Sequence, residues 1–372
     1  MRLRLIRELP ALHRGVEKLR ARLPPFAAKF LYAPAHRIFR ESSLSEDLER
    51  ISLPVGLPSS YSIDPRIPQA FRGIHSFRRA GGSGVEMLHL ADATVLSHGI
   101  IIHRGAIQRC SSVYSRLNLD QILAAAREYH DGENRRPALD SATIVSRQFV
   151  NEGTWGDYFL EFLMPMAWVP PRPGRTVLCD CDFVSKYAGR ESQTLGFECR
   201  DIPAGGIRVR DLEVIGPCQV FNNFEEANLS KLRERFPARP DRMSPKRVYL
   251  SRLGVVSDNT KISRFISNEE EVAGYLKSEG FEILHAHEMD GDEMRGRIAG
   301  AEVIVGCWGA AMLNAAWARP KTVIELVSER IWSPTALKMS LANGVERHTA
   351  IRATDHRISI EELSKALEQA SA

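Results

Sequence analysis

From Arg247 onward the chain alternates between short apolar runs and amphipathic stretches, and this alternation restricts the fold more than any other feature. Strands are expected at 248–251, 281–285, 302–305 and 322–326, with helices at 268–279, 290–299, 310–318 and 360–370. Near-continuous apolar strands separated by helices predict a parallel sheet covered on both faces, because parallel neighbours need a crossover that returns the chain to the same end. Upstream the pattern differs. Apolar runs at 85–90, 93–97 and 99–103 lie too close together for crossovers and predict hairpins or a meander. Further buried strands are expected at 142–145 and 176–179, with a helix within 152–166. Residues 51–75 are rich in Pro, Ser and Ile and read as irregular, and the proline-rich stretch 236–245 reads as a linker. The expectation is an α/β protein with an arm at 1–50, an N-terminal domain at 51–236 and a C-terminal domain at 245–372.

Charge sets the arm apart. Residues 1–40 hold ten basic and two acidic residues, +8, while the rest holds 40 basic and 44 acidic, −4. Leu5, Leu9, Leu12, Val16, Leu19 and Leu23 form an amphipathic helical stripe, ended by Pro24-Pro25. One reading is peripheral contact of residues 1–25 with an anionic membrane surface. The other is a helix packed on the body or in a dimer. The body adds no basic, aromatic-interleaved surface, which argues against nucleic acid as a partner. No clean apolar core or cleavage site marks the arm as a signal peptide. No apolar run approaches the ~18–20 residues of a spanning helix. The six cysteines lack metal-ligand spacing and are sparse for a disulfide scaffold, so reduced thiols and a cytoplasmic location are expected.

The residues most suggestive of chemistry lie at strand ends. An apolar strand closes at Gly306, a small-residue turn follows, and a helix is expected from Ala310. The free N–H groups of a helix start let an anion approach the backbone without a phosphate-loop lysine. A tight turn without a ligand is the alternative. Ser251 and Arg252 close the strand at 248–251, where ligands of open α/β sheets gather and an arginine suits phosphate oxygens. Glu325 is placed to accept hydrogen bonds from a ribose diol, or else to be a solvated carboxylate. Gly81-Gly82-Ser83-Gly84 reads as a turn, since no strand leads into it and no Lys-Ser/Thr follows. Asp180-Cys181-Asp182 has the form of a cation-holding D-x-D, although a strand-end loop explains it too. His285 and His287 share a strand face without an evident third ligand, so no metal site is expected.

The succession Tyr249-Leu250-Ser251-Arg252, Arg264, Asn268-Glu269-Glu270-Glu271-Val272, Gly280-Phe281-Glu282, 305–314, Pro320 and Glu325 resembles glycosyltransferase family 61. Upstream, 153–163 and Leu195-Gly196-Phe197 are similar to segments of the same family, so the resemblance covers roughly 145–330. It implies a GT-B fold, two Rossmann-like domains facing a cleft, here preceded by the basic helical arm. It also implies an inverting transfer from a nucleotide-sugar donor that requires neither metal nor cofactor. The donor-binding residues it implies are Ser251, Arg252, Trp308, Gly309, Ala310, Ala311, Asn314 and Glu325. Two family histidines are replaced: Trp308 stands in the turn motif and Asp157 in the upstream segment. Asp157 is then the first candidate for the catalytic base, and Glu161, one helical turn on, the second.

These readings converge on an enzyme that adds sugars to a glycan or lipid-linked acceptor during capsule or surface polysaccharide assembly, with the arm at the inner membrane surface. A non-catalytic relative that scaffolds or regulates such an assembly is the alternative, because both histidines are missing. A metal-dependent transferase using Asp180 and Asp182 is the third.

Overall fold

The computed structural model describes residues 59–66, 87–108, 110–111, 119–132, 135–147, 155–180, 187, 196–216, 224–238, 244–255, 266–329 and 333–371. The arm, Gly81–Gly84, Arg264 and Asp182 lie outside the described residues. Two compact units interleave along the chain. Of the described residues, 87–147 and 161–216 belong to the first, and 59–66, 155–160 and 224–371 to the second.

The second unit is built on a parallel sheet. Its strands are β1 (Tyr61–Ile63), β9 (Arg247–Ser251), β10 (Glu282–His285), β11 (Val303–Cys307), β12 (Thr322–Val327) and β13 (Arg347–Arg352). Their order is β1-β13-β12-β11-β9-β10, and every pair is parallel. The near-continuous apolar runs have the expected cause: all six residues of β12 are buried. Helices α5 (Glu269–Ser278) and α8 (Ile360–Ser371) cover the sheet with Val272, Leu276, Leu363 and Leu367, packed with Tyr249, Val305 and Ile324. The stretch Ala310–Trp317 is a 3₁₀ helix rather than the expected α-helix. It packs against β11, α4 (Glu226–Arg235), α6 (Gly291–Ile298) and α7 (Thr335–Ala342). Phe236, which follows α4, is buried at the edge of Trp317, so this start of the expected linker belongs to the packed unit.

The first unit carries a seven-stranded mixed sheet, order β4-β3-β2-β8-β5-β6-β7. Its parallel half is β5 (Ala138–Val145), β6 (Thr176–Cys179), β7 (Glu198–Asp201) and β8 (Ile207–Ile215). Strands β2 (Met87–Leu96), β3 (Ile100–His103) and β4 (Ala106–Ile107) are antiparallel. The expected meander is present, with the first two apolar runs joined into one ten-residue strand through Asp92, whose φ is +54°. Connections this short permit only antiparallel pairing, so this unit departs from a wholly parallel, Rossmann-like sheet. Helix α1 (Leu119–Asp131) places Ile122 and Ala125 against Leu96, Ile100 and Ile107. The helical segment at 155–167 consists of α2 (Trp155–Tyr158), a π turn (Phe159–Leu163) and α3 (Met164–Ala167). Pro165 supplies no N–H to the carbonyl four residues earlier, and the helix widens just there. Among the described residues no helix is long and apolar enough to cross a membrane.

Candidate functional site

The strand order of the second unit reverses at β9: β10 lies on one side and β11, β12 and β13 follow on the other. The crevice outside the carboxyl ends of the strands at such a reversal is where α/β sheets bind ligands. Arg252 follows the last residue of β9, and Trp308 follows the last residue of β11. The Arg252 guanidinium Nη1 donates to the Trp308 carbonyl across 3.3 Å. Two motifs more than fifty residues apart in sequence thus meet at the switch point.

The Arg252 turn is held from α5. Glu269 Oε1 accepts from the Arg252 backbone N–H at 2.6 Å, the Ser251 hydroxyl at 3.0 Å and the Tyr249 hydroxyl at 3.2 Å. Ser251 Oγ in turn accepts from Leu253 N–H at 3.1 Å. Ser251 is therefore buried and bonded on both sides within the protein. Tyr249 also lies 3.4 Å from Cys307 Sγ. Burial raises both the Tyr249 hydroxyl and the Cys307 thiol well above their ordinary pKa, which keeps both protonated. Glu269 belonged to a recognised motif, but its part in this turn was not legible, since its partners lie 17 to 20 positions upstream and meet it only through the sheet.

On the opposite side, Gly306 and Gly309 shape the approach to the 310–317 helix. A Cβ at Gly306 would overlap Met312 Sδ and lie 3.2 Å from Leu250 Cβ. Gly309 has φ +144°, a conformation other residues rarely adopt. Gly309, Ala310 and Ala311 are half-exposed, whereas residues from Met312 to Trp317 are buried. Small side chains thus leave the first-turn backbone approachable beside Arg252, and a 3₁₀ helix likewise leaves its first N–H groups without intrahelical partners.

The remaining candidates turn inward. Trp308 is buried; its backbone N–H donates to Leu326 O at 2.8 Å and its indole N–H to Ser333 O at 3.2 Å. Asn314 donates to Ala311 O at 3.0 Å from within the packed helix. Glu325 has no exposed surface, and its carboxylate lies 3.7 Å from His348 Nε2. His348 Nδ1 pairs with the Ser340 hydroxyl at 2.9 Å, and the Tyr61 ring stacks on the imidazole.

Asp157 is buried in α2, and α2 packs against the 310–317 helix within the second unit. Trp155 contacts Tyr158 and Phe159, and Phe159 meets Trp317 edge-on. Glu161 is also buried, but it lies in the π turn and belongs to the first unit. The regular α-helical spacing expected to align it with Asp157 is broken between them.

Asp180 is not an open carboxylate. Arg147 Nε donates to both its oxygens at 2.8 Å, and both side chains are buried. The His285 and His287 rings lie 6.0 Å apart, and among the described residues no group of three or more His, Cys, Asp or Glu is placed to hold a metal ion.

Among curated proteins none matches the chain. The family described as Glycosyltransferase 61 matches residues 155–324. That span takes in Asp157, the Arg252 turn, Glu269 and the Gly306–Ala311 turn, which the fold gathers into one unit although they are scattered in sequence. This segment, somewhat under half of the chain, is similar to glycosyltransferase family 61.

Proposed function

We propose that the protein is an inverting, GT-B-type glycosyltransferase that moves a sugar from a nucleotide-sugar to a glycan or lipid-linked acceptor in surface polysaccharide biosynthesis. The observation that carries this reading is the Arg252–Trp308 bridge at the switch point, beside the approachable backbone of Gly309–Ala311. The donor diphosphate sits there, its oxygens meeting the guanidinium and first-turn N–H groups. An acceptor hydroxyl attacks the anomeric carbon as the bond to the diphosphate breaks. Asp157 takes the hydroxyl proton, and the diphosphate leaves with the bonding electron pair into this positive field. The engagement of Asp180 by Arg147 supports chemistry that does not rely on a D-x-D cation site.

The test begins with the purified chain and a panel of nucleotide-sugars. Slow hydrolysis of one of them to sugar and nucleoside diphosphate is expected. Arg252→Ala should weaken binding of that nucleoside diphosphate by about 10–150-fold, the ~1.5–3 kcal/mol of charged hydrogen bonds. Unchanged affinity in the folded variant would remove the donor from this place. A second reading, a non-catalytic scaffold, is favoured by one observation: Trp308 replaces a family histidine and gives its only side-chain donor to Ser333. Tight donor binding without turnover on any acceptor would select it.

We further propose that residues 1–25 bring the enzyme to the anionic inner surface of the membrane. The +8 charge of residues 1–40 and the leucine stripe support this. Sedimentation with phosphatidylglycerol-containing liposomes should capture the full chain at low salt and release it at high salt. Failure to sediment at low salt would point instead to a packed or dimerising helix.

A further inference from the structure

We infer that Glu269 is a positioning residue of the donor site, its carboxylate holding the Arg252 turn so that the guanidinium is presented to the donor diphosphate. The inference rests on the donor placement proposed above and assigns the part that orients it. Three donors converge on one oxygen, Glu269 Oε1: Tyr249 Oη, Ser251 Oγ and the Arg252 backbone N–H, the last at 2.6 Å. They come from the last residues of β9 and the residue after it, so a single atom fixes where the strand ends and where its arginine begins.

The support beneath Glu269 is itself rigid. It is the first residue of α5, where negative charge is favoured by the helix dipole. Asn268, just before it, is buried and pairs with Ile358 in both directions, accepting from its N–H at 2.9 Å and donating to its carbonyl at 3.0 Å. Val272 and Leu276, one and two turns on, have no exposed surface. The oxygen is thus referenced to the core of the second unit, and the turn takes its position from the oxygen.

The bonding also divides Arg252 into two functions. Its backbone N–H answers to the carboxylate, while its guanidinium donates to a neutral acceptor, the Trp308 carbonyl, leaving further donors of the five for an anion. A carboxylate paired with the guanidinium itself would compete with phosphate. One holding the main chain orients the side chain without neutralising it.

What matters in this arrangement is an acceptor oxygen at the right reach, not the net charge. Glutamine keeps that oxygen; aspartate keeps the charge but withdraws the oxygen by one methylene. The experiment measures calorimetric binding of the nucleoside diphosphate preferred by the wild-type full chain. The variants are Arg252→Ala, Glu269→Gln, Glu269→Asp, Glu269→Ala and the Arg252→Ala/Glu269→Ala pair, each checked for folding by circular dichroism. Glu269→Gln should bind within about threefold of wild type, whereas Glu269→Asp and Glu269→Ala should each lose about five- to twentyfold. The double variant should bind no more weakly than Arg252→Ala alone, because both changes act through one group.

A purely structural role would lower the melting temperature without this ranking and without this non-additivity. Full affinity in folded Glu269→Asp and Glu269→Ala, or losses that add in the double variant, would overturn the inference while leaving the donor site in place. Aspartate outperforming glutamine would also overturn it, by showing that charge alone matters. If Arg252→Ala binds as wild type does, the donor placement fails first and the inference falls with it. Should Glu269→Ala not fold, the comparison of glutamine with aspartate decides.

Discussion

Asp157→Asn is expected to lower turnover of donor and acceptor by ~10²–10⁴-fold, the usual contribution of a general base, while leaving donor binding nearly intact. Asparagine keeps the size of the side chain, removes its charge and its ability to take the proton, and turns one acceptor oxygen into a donor. The site makes this a demanding test, because Asp157 is buried in a helix that packs against the 310–317 helix, whose first turn is the proposed diphosphate cradle. A change there that disturbed packing would lower donor affinity as well, so separate measurement of kcat and nucleotide binding distinguishes chemistry from structure. Glu161→Gln is the companion. Full activity in both variants, in an assay limited by the chemical step, would exclude a carboxylate of this segment as the base.

The second large effect concerns stability. Arg147→Ala should destabilise the protein by ~3–5 kcal/mol, because it strips a buried aspartate of the guanidinium that bonds both its oxygens. Total stabilities of ~5–15 kcal/mol make that a large fraction. Replacing both partners, Arg147→Met with Asp180→Leu, should recover most of the loss, since no uncompensated charge stays buried. Urea unfolding followed by circular dichroism measures both. A loss below ~0.5 kcal/mol in Arg147→Ala would mean that water reaches Asp180 in solution, and its candidacy as a cation ligand would reopen.

How far the chain could be read from its residues varied with burial. Strands β9, β10, β11 and β12 were legible because a parallel strand covered on both faces is apolar at nearly every position. Strand β13 was not, since Arg347, His348, Thr349 and Arg352 interrupt any apolar run. That omission shaped the reading of Glu325 as a carboxylate open to solvent or to a ribose diol. With β12 taken as the last strand, a glutamate in it reads as solvated or ribose-facing. With β13 beside it, the same glutamate is enclosed and faces His348. The Ala310–Trp317 stretch reads as α-helical from its alanines, yet packing on four helical elements and β11 overrides that preference. Of the site, Arg252 and the small-residue turn were legible because strand-end chemistry is local. Glu269 was not, because its role arises only when β9 and α5 are brought together.

The pairing of β1 with β13 carries a consequence for how the protein is made. Tyr61 donates its hydroxyl to the carbonyl of Val345, 284 residues further along the chain. At a synthesis rate of ~5–20 residues per second, the ribosome needs about 15–60 s to produce that partner. During this interval the strands of the first unit's sheet, from Met87 to Ile215, are synthesised, while the earlier strand has no edge to join. A nascent chain arrested before residue 345 would therefore hold 59–66 as an unpaired, protease-sensitive tether. Release of the last helix would convert it to a protected strand, so chaperone occupancy on this protein should track the position of the ribosome.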